Sequence, residues 1–249
     1  IGQQNIISVY DNEDNLVGKL YITPNSEEVK KKALVVLVKH TSASGTIFTG
    51  EYDDHELELT RIFAKQASIN PDISVQPQIL DLTTDADFQK FVDATKGIDF
   101  DVSKTINGKA YRAHEYLLTK IADKTSTKIF IVKRNNTSIG DVMAFTVEQD
   151  KCVIMYSDFR KPNSIEDLGY YTAMAHEYLH AQGIAHTFAG LSSTKNAFLT
   201  FVKGNTNNVM DYSNADISYQ NGTAILSSKF VQGTFFWQWA IARRFAKKY

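Results

Sequence analysis

The eleven residues His176-Glu177-Tyr178-Leu179-His180-Ala181-Gln182-Gly183-Ile184-Ala185-His186 restrict the conformation of this chain more than any other stretch. On a helix, His176 and His180 stand one turn apart on the same face. Glu177 then projects about 100 degrees away from His176, given 3.6 residues per turn. Further helix would carry the chain away from that face. Gly183 can take a left-handed backbone, end the helix and swing the chain round, so that His186 approaches the first two histidines. Upstream, Ser164 is a suitable N-cap and Asp167 lies where a capping acid belongs, so the spacing predicts a helix from Ile165 to about Gly183. Three imidazoles gathered in this way can converge on one cation, and Glu177 can reach a water held there without filling a ligand position.

The rest of the chain supplies a scaffold of alternating strands and helices. Residues 4–10 and 17–23 alternate apolar and polar side chains around the turn formers Asp11-Asn12-Glu13-Asp14-Asn15, which predicts a hairpin. The charged run Glu27–Lys32 reads as a solvated connector to a buried strand at Ala33–Lys39. Residues 1–30 are therefore an expected appendage or the remnant of a preceding segment, with the main domain over 31–249. Helical spacing marks Asp53–Ala67, Asp85–Ala94 and Ala110–Asp123. Strands are expected at Ile73–Leu82, partly demoted by Pro77, and at Lys128–Lys133. Ile139–Glu148 and Lys151–Tyr156 form an expected strand pair. Residues 187–225 read as irregular, and Ser227–Tyr249 returns to helical spacing with cations suited to a helix C-terminus. The fold class predicted is α/β (α+β): a twisted mixed sheet with backing helices, then an irregular C-terminal part with a long terminal helix.

Composition narrows the function classes. The chain has 249 residues, 43% of them hydrophobic and 12% aromatic, enough for a substantial core. Lys plus Arg number 27 and Asp plus Glu 28, so the net charge of −1 lacks the excess expected of a dedicated nucleic-acid binder. The longest apolar run, Ala33–Val38, is too short to span a bilayer. The start at Ile1, with no leader-like segment, reads as a processed or partial form. One cysteine, Cys152, excludes an internal disulfide framework and reads as a small core hydrophobe. Of the six histidines, His40 and His55 lack partners at ligand spacing. His114-Glu115-Tyr116-Leu117-Leu118 repeats the start of the later motif with leucine where the second ligand belongs, so His114 reads as an ordinary helix residue.

The histidine stretch resembles the H-E-x-x-H-x-x-G-x-x-H motif of the metzincin clan of zinc endopeptidases. That resemblance implies a methionine-bearing turn downstream, and Asn208-Val209-Met210-Asp211-Tyr212-Ser213 lies at a suitable interval. His186-Thr187-Phe188 and this second segment are similar to the corresponding pieces of pappalysin-type metzincins, which usually carry several cysteines. The resemblance covers about residues 165–215. It implies a zincin-like fold with an upper part over about 31–183 and a lower part over about 184–249. One catalytic Zn²⁺ would be bound by His176, His180 and His186, above Met210. Glu177 would be the general base, and Tyr212 a phenol donor to the developing oxyanion. A structural Ca²⁺ is compatible with such an enzyme, but no loop is specific enough to assign one.

A protein or peptide substrate would lie extended in a cleft, adding a strand to the sheet edge Ile139–Phe145, with specificity set near Asn214–Tyr219. No nucleic-acid partner and no membrane span are expected. The expected form is a monomer, secreted or extracellular and of bacterial type. The alternatives are a secreted toxin or effector peptidase acting on cell-wall peptide or one host protein, an inactive zinc-binding interaction module, or an adhesion module.

Overall fold

A computed structural model of the chain describes residues 5–11, 13, 15–22, 29–67, 69–74, 76–94, 97–134, 143–159, 167–184, 186, 210, 218–220 and 223–225. The elements run β1 (Asn5–Tyr10), β2 (Leu16–Ile22), β3 (Val29–Thr41), β4 (Ile47–Thr49), α1 (Asp54–Gln66), β5 (Ile69–Ile73), β6 (Gln78–Asp81), β7 (Val92–Asp93) and β8 (Gly97–Ile98). They continue with β9 (Ser103–Ile106), β10 (Lys109–Arg112), α2 (Ala113–Thr119), β11 (Thr127–Val132), β12 (Ala144–Val147), β13 (Cys152–Tyr156), α3 (Asp167–Ala181), β14 (Ser218–Gln220) and β15 (Thr223–Ile225). The fold is mixed α/β, as the alternation of apolar strands and amphipathic helices predicts.

The central sheet has the order β12-β13-β11-β3. Strands β3, β11 and β13 run parallel, while β12 runs antiparallel to β13 at one end. On its other side β3 pairs in parallel with β5 and then β6, and β4 folds back antiparallel to its last residues. Gly50 follows β4 where it meets β11. A Cβ there would lie 1.9 Å from the Ile131 carbonyl oxygen, so only glycine fits without backbone movement. The hairpin β1–β2 forms its own two-stranded sheet.

Strand periodicity sorts the core into two layers. Val35, Ile129, Ile131, Val153 and Met155 face one way and pack with Leu57, Phe63 and Ala64 of α1 and Met174, Ala175, Tyr178 and Leu179 of α3. Val36, Phe130, Val132, Cys152 and Ile154 face the other way, toward Phe88, Phe91, Tyr116 and Leu117. Burial also pushes the Cys152 thiol above its ordinary range, which fits the inert core role expected of it. Helix α1 begins where expected: Asp53 accepts the backbone N–H of His55, and Asp54 and Glu56 occupy the first turn.

Several boundaries differ from the sequence reading. The single strand expected at Ile73–Leu82 is two strands, β5 and β6, both held by β3. Of the helix expected over Asp85–Ala94 only a 3-10 turn at Phe88–Phe91 forms, and β7 follows it. The helix expected over Ala110–Asp123 is confined to Ala113–Thr119, because 109–112 pair with β9 instead. That hairpin turns on Asn107 and Gly108, with φ of 51° and 80°. Within the expected irregular stretch 187–225, β14 and β15 pair antiparallel. The expected C-terminal helix over 227–249 and the N-cap Ser164 lie outside the described residues.

Candidate metal centre

Helix α3 presents Met174, Ala175, Tyr178 and Leu179 to the sheet layer shared with α1. His176 and His180 project from that helix, one turn apart. The helix ends as the sequence predicts. Gly183 has φ of 80°, its N–H donates to the His180 carbonyl at 2.8 Å, and the Ile184 N–H donates to the Leu179 carbonyl at 3.0 Å. This is a Schellman closure, sealed by the buried pair Leu179 and Ile184. Gln182 also anchors the helix end, its Nε2 donating to Thr127 Oγ1 at 3.1 Å.

The turn brings His186 back to the helical pair. Nε2 of His176 lies 3.2 Å from Nε2 of His186, and Nε2 of His180 lies 3.1 Å from each of the others. All three side chains are buried. The turn also fixes the tautomer of His180. Its Nδ1 stands 2.7 Å from the Ile184 carbonyl oxygen, an acceptor only, so Nδ1 carries the proton. In the neutral ring Nε2 is therefore a lone pair aimed at the other two histidines. Burial, reinforced by the His176 and His186 rings, holds His180 well below the ordinary histidine range and keeps it neutral.

The donor set fits a metal ion. Two nitrogens bound to zinc at about 2.05 Å and near a tetrahedral angle stand about 3.3 Å apart, close to the three separations found. Neutral imidazole is a borderline ligand suited to zinc, and the Nδ1–carbonyl bond on His180 is the usual outer support of such a ligand. The three histidines thus form a group that could hold a metal ion, consistent with zinc.

Glu177 follows the first histidine and is half-buried. Its Oε2 accepts from Thr146 Oγ1 at 2.6 Å, and the same hydroxyl lies 2.7 Å from the Glu177 carbonyl oxygen. Among the described residues no cation pairs with this carboxylate. Met210 is fully buried in the apolar layer that holds Met174, Ala175, Tyr178 and Leu179. Tyr212 lies outside the described residues, as do 139–142 of the expected sheet edge and 214–217 of the expected specificity segment. The remainder of that edge, β12, does stand at the end of the sheet.

The other histidines stay apart from this cluster. His40 is buried, and its Nε2 donates to the Lys133 carbonyl at 2.9 Å. His55 is exposed beside Asp53, its Nδ1 2.7 Å from Oδ1. His114 is buried with Nε2 3.4 Å from Asp150 Oδ2, and desolvation lowers its pKa. A cavity of about 530 Å³ is lined by Lys109, Glu115, Lys128, Asp150 and their neighbours, and none of the three clustered histidines lines it. Thr146 went unremarked in the sequence. The available signal was a lone hydroxyl in Ala144-Phe145-Thr146-Val147, at the strand position that alternation turns toward α3. No family model and no curated protein matches the chain. Among the described residues no helix is long and apolar enough to cross a membrane.

Proposed function

We propose that this chain is a zinc-dependent endopeptidase, similar to the metzincins in the way it assembles its site. One observation supports the reading above the rest. Three imidazole nitrogens meet within 3.2 Å, and the next residue along the helix is a carboxylate committed to no ion pair among the described residues. A purely structural zinc site usually closes with a fourth protein ligand and has no use for such a neighbour.

When bound, zinc would supply Lewis acidity and bring the pKa of a water down to about 7. The chain's own groups then divide the work. His176, His180 and His186 hold the metal, with His180 kept in the required tautomer by the Ile184 carbonyl. Glu177 accepts the proton from the attacking water and passes it to the nitrogen of the departing amine. Tyr212 is the proposed phenol donor to the carbonyl oxygen as charge develops on it. Met210 packs in the apolar layer behind the helix that carries two of the histidines. Strand β12, paired on one side with β13, offers its other side to an extended peptide, which would join the sheet by backbone hydrogen bonds.

The experiment is Glu177→Ala in the zinc-loaded protein, assayed on casein and on muropeptides in parallel. The variant should keep parental zinc content and lose hydrolysis of whichever substrate the parent cleaves. Parental rates of peptide cleavage by Glu177→Ala would refute the assignment. Cleavage of muropeptides alone would narrow the substrate to cell-wall peptide.

A further inference from the structure

The Thr146 side chain connects the sheet edge to the Glu177 carboxylate. In β12, Ala144 packs with the layer that contains α3, whereas Phe145 and Val147 pack with the opposite layer. Thr146 therefore falls on the α3 side, opposite Val153 in the register with β13. A polar residue at a half-buried strand position is tolerated when its hydroxyl is satisfied. Both acceptors within reach belong to Glu177: Oε2 at 2.6 Å and the backbone oxygen at 2.7 Å.

A threonine hydroxyl carries one hydrogen and serves one acceptor at a time. The ionised carboxylate is the stronger acceptor, so the hydrogen holds Oε2 while Glu177 is charged. Once the carboxyl has taken a proton, the same hydrogen can rotate to the backbone oxygen, and no donor is stranded. The hydroxyl thus grips the carboxylate in the form that accepts a proton and loosens on the form that must give it away.

We propose that Thr146 is a positioning residue that fixes the orientation of the Glu177 carboxylate from the strand on which the substrate would add. The kinetic consequence rests on the peptidase reading above, whereas the orientation itself does not.

The test compares Thr146→Val, which keeps the shape and strand preference, with Thr146→Ser, which keeps the hydroxyl. A hydrogen bond to a charged group is strong enough that its loss should lower kcat at least about tenfold. KM should stay within about twofold, zinc content should be parental, and Thr146→Ser should recover the rate to within about threefold. A parental kcat in Thr146→Val, or a loss that Thr146→Ser shares in full, would overturn the proposal. The second readout needs no catalysis. With cobalt(II) in place of zinc, the visible bands report hydrogen bonding around the metal's ligands. Thr146→Val should shift those bands in the direction that Glu177→Ala does, and Thr146→Ser should leave them in place. Unmoved bands in Thr146→Val overturn the proposal even if the parent cleaves no peptide, an outcome that would sink only the peptidase reading.

Discussion

Deleting a single histidine should erase a measurable share of the chain's thermal stability, and the amount follows from the geometry. Three Nε2 atoms lie 3.1–3.2 Å apart, and the His180 tautomer points a lone pair at the other two rings. The cluster is complete in the folded chain and scattered in the unfolded one, so a bound cation stabilises the native state by mass action. At a free metal concentration of a hundred times Kd, that gain is about 2.7 kcal/mol. For a domain of this size each kcal/mol shifts Tm by about 2–4 °C, so saturating zinc should raise Tm by about 5–11 °C over the chelated protein. His180→Ala removes the donor whose orientation is fixed, and it should abolish most of that rise at the same zinc concentration. Calorimetric scans with zinc or with chelator, for parent and variant, make the measurement. An equal zinc-dependent rise in both proteins would mean that the metal binds elsewhere and that the histidine cluster is an ordinary part of the core.

Two further predictions concern the scaffold. Gly50→Ala pushes a methyl group to 1.9 Å from the Ile131 carbonyl oxygen and should cost about 3 kcal/mol, the upper end for overpacking. Gly45→Ala, at φ 84° with open space around it, should cost only about 1 kcal/mol by chemical denaturation. Equal midpoints for the two variants would contradict the close approach of Gly50 to β11. The second prediction is a pH effect at His114, whose pKa burial lowers from 6.5. Below that value the unfolded chain binds the proton more readily than the folded one, so stability falls with pH from about 6.5 down toward the folded value. His114→Gln should flatten that part of the denaturant midpoint against pH; an unchanged profile would place the lost stability at other groups.

The elements legible in the sequence were those settled by local chemistry. Helix α1 starts at the aspartate that caps it, and α3 stops at the glycine that can adopt a left-handed backbone. Strands β3, β11 and β13 are apolar because both of their faces are covered, as parallel strands require. The misread segments were decided by distant partners. Asp85 looked like the start of a helix, but its carboxylate accepts the N–H groups of Asp87 and Phe88 and is held by Tyr116 and Lys120, which favours a short turn. Residues 73–82 were read as one strand because nothing local shows that β3 binds 69–73 and 78–81 separately. The β9–β10 hairpin was readable and was missed: Asn107-Gly108 is among the strongest short hairpin signals.

The same division runs through the candidate site. The convergence of His176, His180 and His186 was legible because all its determinants lie within eleven residues: helical spacing, a glycine closure and a return. The hold on Glu177 was not, since Thr146 lies 31 residues upstream on another element. The two parts differ in what they demand of the fold. A metal-binding cluster needs only α3 and its turn, so it could serve a protein with no catalytic role. A carboxylate beside that cluster, tied by a hydroxyl to the end strand of the sheet, needs β12 in register with β13 and α3 packed against both. That second requirement places the base next to the unpaired side of a strand, where an extended peptide could add. The dependence on β12 is what sets a hydrolytic site apart from a structural one. Weakening β12, for instance by Ala144→Pro, should therefore reduce peptide cleavage while leaving zinc bound to the three histidines. Loss of zinc in step with activity would show that the cluster relies on the edge strand, and would count against this separation.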